Sequence, residues 1–207
     1  MALVIRAKVV DIKSDIPKET DRFLIDTNAW YWLFYTRASQ TPSAPLPHQL
    51  SDYPNYIQKA ISAKAALNCC ALNFSELAHN IESAEREIYA NLANRPTLKP
   101  KEFRHDCPSQ RRKVVSTIND TWSDVLAVST MLSLTLDAVF MQSALTLFPS
   151  VGVDGYDLFM AEMALSQGIT QIVTDDGDYA SVSGITVFTS NPRVIQNAQS
   201  FGKLLAR

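Results

Sequence analysis

Asp26, Glu76, Asp157 and the Asp175–Asp176 pair share a setting that invites chemistry, since each follows a short apolar run or opens a helical pattern. Side chains at the carboxyl ends of parallel strands converge on one crevice, so acids far apart in sequence can meet there. Carboxylates gathered without bases repel one another, and a divalent cation is the usual remedy. The chemistry such a set could perform is metal-assisted attack on a phosphodiester.

Each acid also has a structural reading. Asp26, directly after Phe23-Leu24-Ile25, is either a metal ligand or the cap of the next helix. Glu76 in a first helical turn is favoured by the helix dipole without any function. Asp154, three residues before Asp157, reads chiefly as a cap. The turn Asp175-Asp176-Gly177-Asp178 packs three acids together, which costs repulsion unless a cation is near. As a set the acids are far more specific than any one of them.

Other chemistries fit poorly. No glycine-rich phosphate loop follows a strand. His48, His79 and His105 have no partner at zinc-like spacing, and Ser75 lacks a nucleophile-elbow context. Cys69, Cys70 and Cys107 read as reduced, packed thiols.

The elements that must position the acids follow from the apolar pattern. Phe23-Leu24-Ile25, Cys69-Cys70-Ala71-Leu72, Leu134 with Leu136, Thr170 to Thr174 and Ile185 to Phe188 predict five short strands. Helices are expected from Ala29, from Tyr56 to Leu67, beyond a cap at Asn73 or Ser75, from Val114 through Trp122 to Leu132, from Asp137 to Leu147, from Asp154 to a stop at Gly168, and from Asn191-Pro192. Thr41 to Pro47 is a proline-rich loop. Strands alternating with helices imply a mostly parallel sheet covered on both faces.

At 207 residues and 46% hydrophobic content the chain suits one domain with embellishments. A net charge of -2 excludes binding nucleic acid by bulk charge, so a local patch would be needed. Residues 95–113 offer one, with seven basic residues against two acidic ones, a local balance of +5. That segment is either a substrate surface or a solvated helix start. The opening MALVIRAKVVDIKSD carries no signal-peptide pattern and no run reaches membrane-spanning length, so a cytoplasmic location without membrane association is the expectation.

In combination, Leu24-Ile25-Asp26-Thr27-Asn28, Phe74-Ser75-Glu76-Leu77, Tyr156-Asp157-Leu158-Phe159-Met160-Ala161 and Val173-Thr174-Asp175-Asp176-Gly177-Asp178-Tyr179 resemble the PIN-domain nucleases, including toxins of type II toxin–antitoxin modules. The resemblance spans Arg22 to Pro192. It implies a three-layer α/β/α sandwich around a mostly parallel five-stranded sheet, bounded as an N-terminal extension (1–21), a nuclease domain (22–200) with the basic insertion near 95–113, and a tail (201–207). It further implies Mg²⁺ or Mn²⁺ held by Asp26, Glu76, Asp157 and Asp176, with Asn28, Thr174, Asp175, Asp178 and Asp154 in support. The expected activity is metal-dependent ribonuclease, with structure-specific DNase or a weakly active binding module as alternatives. Arg104, Arg111, Arg112 and Lys113, aided by stacking on Tyr35 or Tyr179, would hold RNA, and an antitoxin and a second copy are the expected protein partners. The leader and the insertion are departures from the shorter members of the family.

Overall fold

The structure is a computed structural model that describes residues 3–41 and 44–207. The loop expected at Thr41–Pro47 therefore falls partly outside the described residues, at Pro42 and Ser43. Among the described residues one sheet of seven strands is formed, in the order β4-β3-β2-β5-β6-β1-β7, and every pair is parallel. The strands are β1 (Lys8–Asp11), β2 (Arg22–Ile25), β3 (Ala66–Cys69), β4 (Thr130–Met131), β5 (Gln171–Val173), β6 (Thr186–Thr189) and β7 (Leu204–Leu205). The helices are α1 (Thr27–Phe34), α2 (Pro47–Ser62), α3 (Ala71–Leu92), α4 (Pro100–Asp106), α5 (Pro108–Val128), α6 (Ala138–Leu147), α7 (Gly155–Ser166) and α8 (Pro192–Ser200).

The three layers follow from the alternation of side chains along each strand. In β2, Phe23 and Ile25 point to one face and Leu24 to the other, and all three are fully buried. The first face packs against Trp30 of α1, Tyr53 and Tyr56 of α2, Leu77 and Ile81 of α3 and Val125 of α5. The second packs against Ala161 and Ala164 of α7 and Val194 of α8. Each buried Phe, Leu or Ile contributes about 1.5–3 kcal/mol, so β2 anchors the sheet despite its four residues. A satellite core of Leu98, Phe103, Cys107 and Val114 seats α4 against the start of α5. Among the described residues no helix is long and apolar enough to cross a membrane.

The second strand is Ala66–Cys69 rather than Cys69 to Leu72, since Ala71 and Leu72 open α3 and the preceding helix ends at Ser62, short of Leu67; three further expectations need correction. The sheet has seven strands rather than five, because Lys8–Asp11 pairs with β6 and Leu204–Leu205 pairs with β1. The third strand lies at Thr130–Met131, not at Leu134 and Leu136: α5 ends at Val128, and the Leu132 amide donates to the Cys69 carbonyl at 2.7 Å. Both β4 residues are exposed, so no apolar run marks that edge strand. Helix α2 begins at Pro47 rather than near Tyr56, with Pro47 in its first turn where a missing amide costs nothing.

Arg207 ties the end of the chain to the segment between β1 and β2 through one ion-pair cluster. Arg207 reaches Asp15 and Asp21, both nearly fully buried, at 2.8 and 2.6 Å. Its guanidinium also lies 4.6 Å from the centre of the Phe188 ring, a cation–π contact. Burial acts to raise Asp21, but hydrogen bonds from Arg207, the Lys18 amide and Gln171, together with the Arg207 charge, hold its pKa down at about 2.

Candidate active site

Strand β2 lies between β3 and β5, and the chain leaves this centre in opposite directions on its two sides. The crevice at the carboxyl ends of these strands is the topological switch point, where open α/β sheets place their ligands. Asp26 follows β2, Glu76 sits on the helix that follows β3, and Thr174 to Asp176 follow β5. Asp157 enters from the first turn of α7. Four elements thus direct the acids toward the same end of the sheet.

Asp26 is buried, with 2% exposure. It caps α1, one carboxylate oxygen accepting from the Thr27 amide at 2.7 Å, and the other oxygen accepts from the Thr174 hydroxyl at 2.7 Å. The structural reading of this residue therefore holds, and it leaves room for a second role, since each carboxylate oxygen has a further lone pair. The Thr174 hydroxyl in turn accepts from the Asp176 amide at 2.9 Å, so one side chain ties the end of β5 to both acids.

Glu76 lies in the second turn of α3 rather than the first, because the helix starts at Ala71 and not after Ser75. Asn73 does contribute to that start, its side-chain oxygen accepting from the Cys70 amide at 2.8 Å. The Asn73 side-chain amide also donates to the Thr27 hydroxyl at 3.1 Å. Asp154 caps α7, accepting from the Tyr156 and Asp157 amides, as its spacing indicated. Asp157 accepts from the Tyr179 hydroxyl at 3.0 Å.

The electrostatics record how closely the acids approach. Burial pushes Asp26 well above the usual carboxylate range, and the charges of Asp157, Glu76 and Asp176 push it further against the Thr174 hydrogen bond. Burial likewise raises Glu76, with Asp154 and Asp176 adding to the effect, and it raises Asp176, with Asp178 and Asp154 adding. Asp157 is pushed up to about 7 by burial and by Asp176, Asp154 and Glu76, despite its bond from Tyr179. These are shifts produced by desolvation and like charge together.

Among the described residues no three His, Cys, Asp or Glu side chains stand close enough together to form a metal-ligating set as they are placed. The donor chemistry nevertheless suits a hard divalent ion, since the groups are carboxylates alone and each gains from a nearby positive charge.

The supporting residues divide. Asp178 is exposed, and its amide donates to Asp176 at 2.8 Å. Asp175 points toward α2, accepting from the Tyr53 hydroxyl at 2.7 Å and from Gln49 at 2.6 Å. Asn28 was expected to steady Asp26, whose oxygens take their bonds from Thr27 and Thr174; Asn28 instead lines a cavity of about 320 Å³ between α1 and α3. Thr27, Asn73, Tyr53 and Tyr179 were missed as supports. Asn73 was legible only as a cap, and buried tyrosines carry no spacing signal.

The basic residues also divide. Arg104 and Arg111 both pair with Glu82, a nearly buried acid on α3, the first at 2.6 Å. Arg112 and Lys113 remain exposed on α5. Stacking on Tyr35 or Tyr179 is ruled out by burial, since they are 3% and 0% exposed and their hydroxyls bond Glu85 and Asp157.

No known protein-family profile matches the sequence, and no curated protein matches it. A solved structure gives a likeness. It is the crystal structure of VapBC2 from Rickettsia felis bound to a DNA fragment from their promoter, at 10% identity and a TM-score of 0.48, covering 81% of this chain and 97% of that one.

Proposed function

We propose that the chain is a Mg²⁺- or Mn²⁺-dependent ribonuclease with Asp26, Glu76, Asp157 and Asp176 as its metal-holding residues. The observation that supports this reading is that the four acids come from separate elements around the switch point, with Asp157, Glu76 and Asp176 all raising the pKa of the buried Asp26. A bound divalent ion supplies water activation near neutral pH and neutralises charge developing on the phosphodiester. Within the chain, Thr174 orients Asp26 and fixes the Asp176 turn, and Tyr179 orients Asp157; Asp178 would orient the attacking water. Arg112 and Lys113 would contact phosphates. The toxin–antitoxin part of the reading needs an apolar face for a protein partner, and the region of α6 leaves Leu136, Val139, Leu145 and Phe148 exposed.

The test is cleavage of end-labelled RNA, single-stranded DNA and flap DNA by the wild type and Asp26→Asn in Mg²⁺, in Mn²⁺ and in chelator. RNA cleavage that needs the metal and falls at least about a hundredfold in Asp26→Asn is the expected result. Equal cleavage by both proteins would point to a contaminant, preferential flap cleavage to a DNase, and tight RNA binding without turnover to a binding module; each overturns the reading.

A further inference from the structure

Tyr35 and Tyr179 are buried, but another aromatic ring stands open beside the acids. Tyr156 occupies the first turn of α7, one residue before Asp157, and is 56% exposed. Its backbone amide and that of Asp157 donate to the same Asp154 carboxylate oxygen, at 3.1 and 3.4 Å, so one cap fixes both the acid and the root of the ring. Side chains on a helix lean toward its N-terminus. In α7 that is the end from which Asp157 feels the charges of Asp176 and Glu76. The ring is therefore carried toward the crevice and not away from it.

A single exposed ring needs no function to explain it, so its surroundings decide. Among the described residues the Tyr156 ring makes no contact with another ring, and its hydroxyl makes no hydrogen bond. Asp154 and Gly155 beside it are exposed, and a Cβ added to Gly155 would meet nothing within 4 Å, so that side of the ring is open space. The other exposed rings differ. Phe74 packs edge-on against Trp122 with ring centres 5.3 Å apart, while Phe148 and Phe201 lie just beyond the ends of α6 and α8. Among these rings Tyr156 is the one that adjoins a proposed metal-holding acid and has no ring partner.

From this placement we infer that Tyr156 is a substrate-binding residue, on whose ring face an unpaired nucleobase next to the scissile phosphate stacks. The inference rests on the ribonuclease reading, which supplies the substrate class and the place of the phosphate. Every base has a π-face, so a platform of this kind holds a single strand without selecting its sequence. A base inside a duplex is already stacked between its neighbours and cannot lie flat on the ring. The carboxylate of Asp154 and the bare Gly155 at the foot of the ring interrupt any continuous apolar face that a protein partner would cover. Truncating the ring should therefore weaken RNA binding for every sequence alike.

The test separates stacking from cleavage. Fluorescence anisotropy would measure labelled hexamers of adenylate and of uridylate on Asp26→Asn protein in Ca²⁺, with Tyr156→Leu or Tyr156→Phe added in that background. Tyr156→Leu should weaken both hexamers about tenfold and Tyr156→Phe less than about twofold, with melting temperatures checking that each variant is folded. A uridylate hexamer carrying 2-aminopurine at one position at a time reports stacking through quenching of the probe. Quenching should peak at one or two adjoining positions, persist in Tyr156→Phe and vanish in Tyr156→Leu. Affinity and quenching untouched by Tyr156→Leu, the result expected if the ring serves a protein partner, would overturn the inference, as would equal losses in the two variants or no binding of either hexamer. Metal-dependent RNA cleavage by the wild type together with unchanged affinity in Tyr156→Leu would sink the platform alone, whereas quenching that depends on Tyr156 in a protein that cleaves no RNA would sink the ribonuclease reading alone.

Discussion

Removing one charge from the acid cluster should stabilise the metal-free protein. Asp157 titrates near 7 in the fold, against about 3.9 for an unfolded aspartate. Between those values the folded chain holds a proton that the unfolded chain has lost, so stability is fully present below about pH 4 and declines as pH rises through 7. A difference of about three units, at about 1.4 kcal/mol each, sets an upper limit of about 4 kcal/mol at pH 8. In an Asp157→Asn variant the side-chain amide cannot ionise and still offers an oxygen to the Tyr179 hydroxyl. In chelator at pH 8 we expect the variant to be about 2–4 kcal/mol more stable than the wild type, a shift of about 1–2 M in the urea midpoint. At pH 4 the two should differ by less than about 1 kcal/mol. Millimolar Mn²⁺ should raise the wild type selectively and narrow or reverse the gap at pH 8. Urea unfolding across pH 4–8 with and without metal checks all of this. A variant no more stable than the wild type at pH 8 in chelator would refute the claim that like charges strain this site.

Other expectations follow from named contacts. Thr174→Val keeps the side-chain shape but removes the hydroxyl that bonds Asp26 and receives the Asp176 amide, and it should cost about 1–3 kcal/mol and weaken Mn²⁺ affinity measured by calorimetry. Arg207→Ala leaves Asp15 and Asp21 buried without their cation and should cost about 3–5 kcal/mol in urea unfolding. Asp21, held at about 2, contributes stability present above about pH 4 and lost as pH falls through 2, so the variant's acid-unfolding profile should flatten in that window. Arg112→Ala and Lys113→Ala should each lower the slope of log RNA affinity against log salt by about 1. Arg104→Ala should act mainly through stability, because its partner Glu82 is nearly buried.

Three of the four proposed site acids stand out by local pattern, whereas Glu76 does not, since α3 starts at Ala71 and not just before it. Asp26 ends an uninterrupted apolar run, Asp154 precedes Asp157 at capping distance, and Asp176 closes the run containing Ile172 and Val173. The helices begun by Asp137, Asp154 and Asn191 were legible for the same reason: all three side chains accept from amides in the first turn. The edge strands were not. Lys8–Asp11 is flanked by charges that read as a leader, β4 is exposed on both of its residues, and β7 has two residues. Only long-range pairing gives them order. Charge counting likewise failed at the basic segment, since nothing local shows that Glu82 on a distant stretch of α3 engages Arg104 and Arg111.

Crystals soaked in Mn²⁺ and examined by anomalous scattering would test the account at its centre. An anomalous peak within about 2.0–2.6 Å of carboxylate oxygens of Asp26 and at least one of Glu76, Asp157 and Asp176 is predicted. Full soaking with no peak in that crevice, or Mn²⁺ bound only at acids elsewhere on the surface, would contradict it.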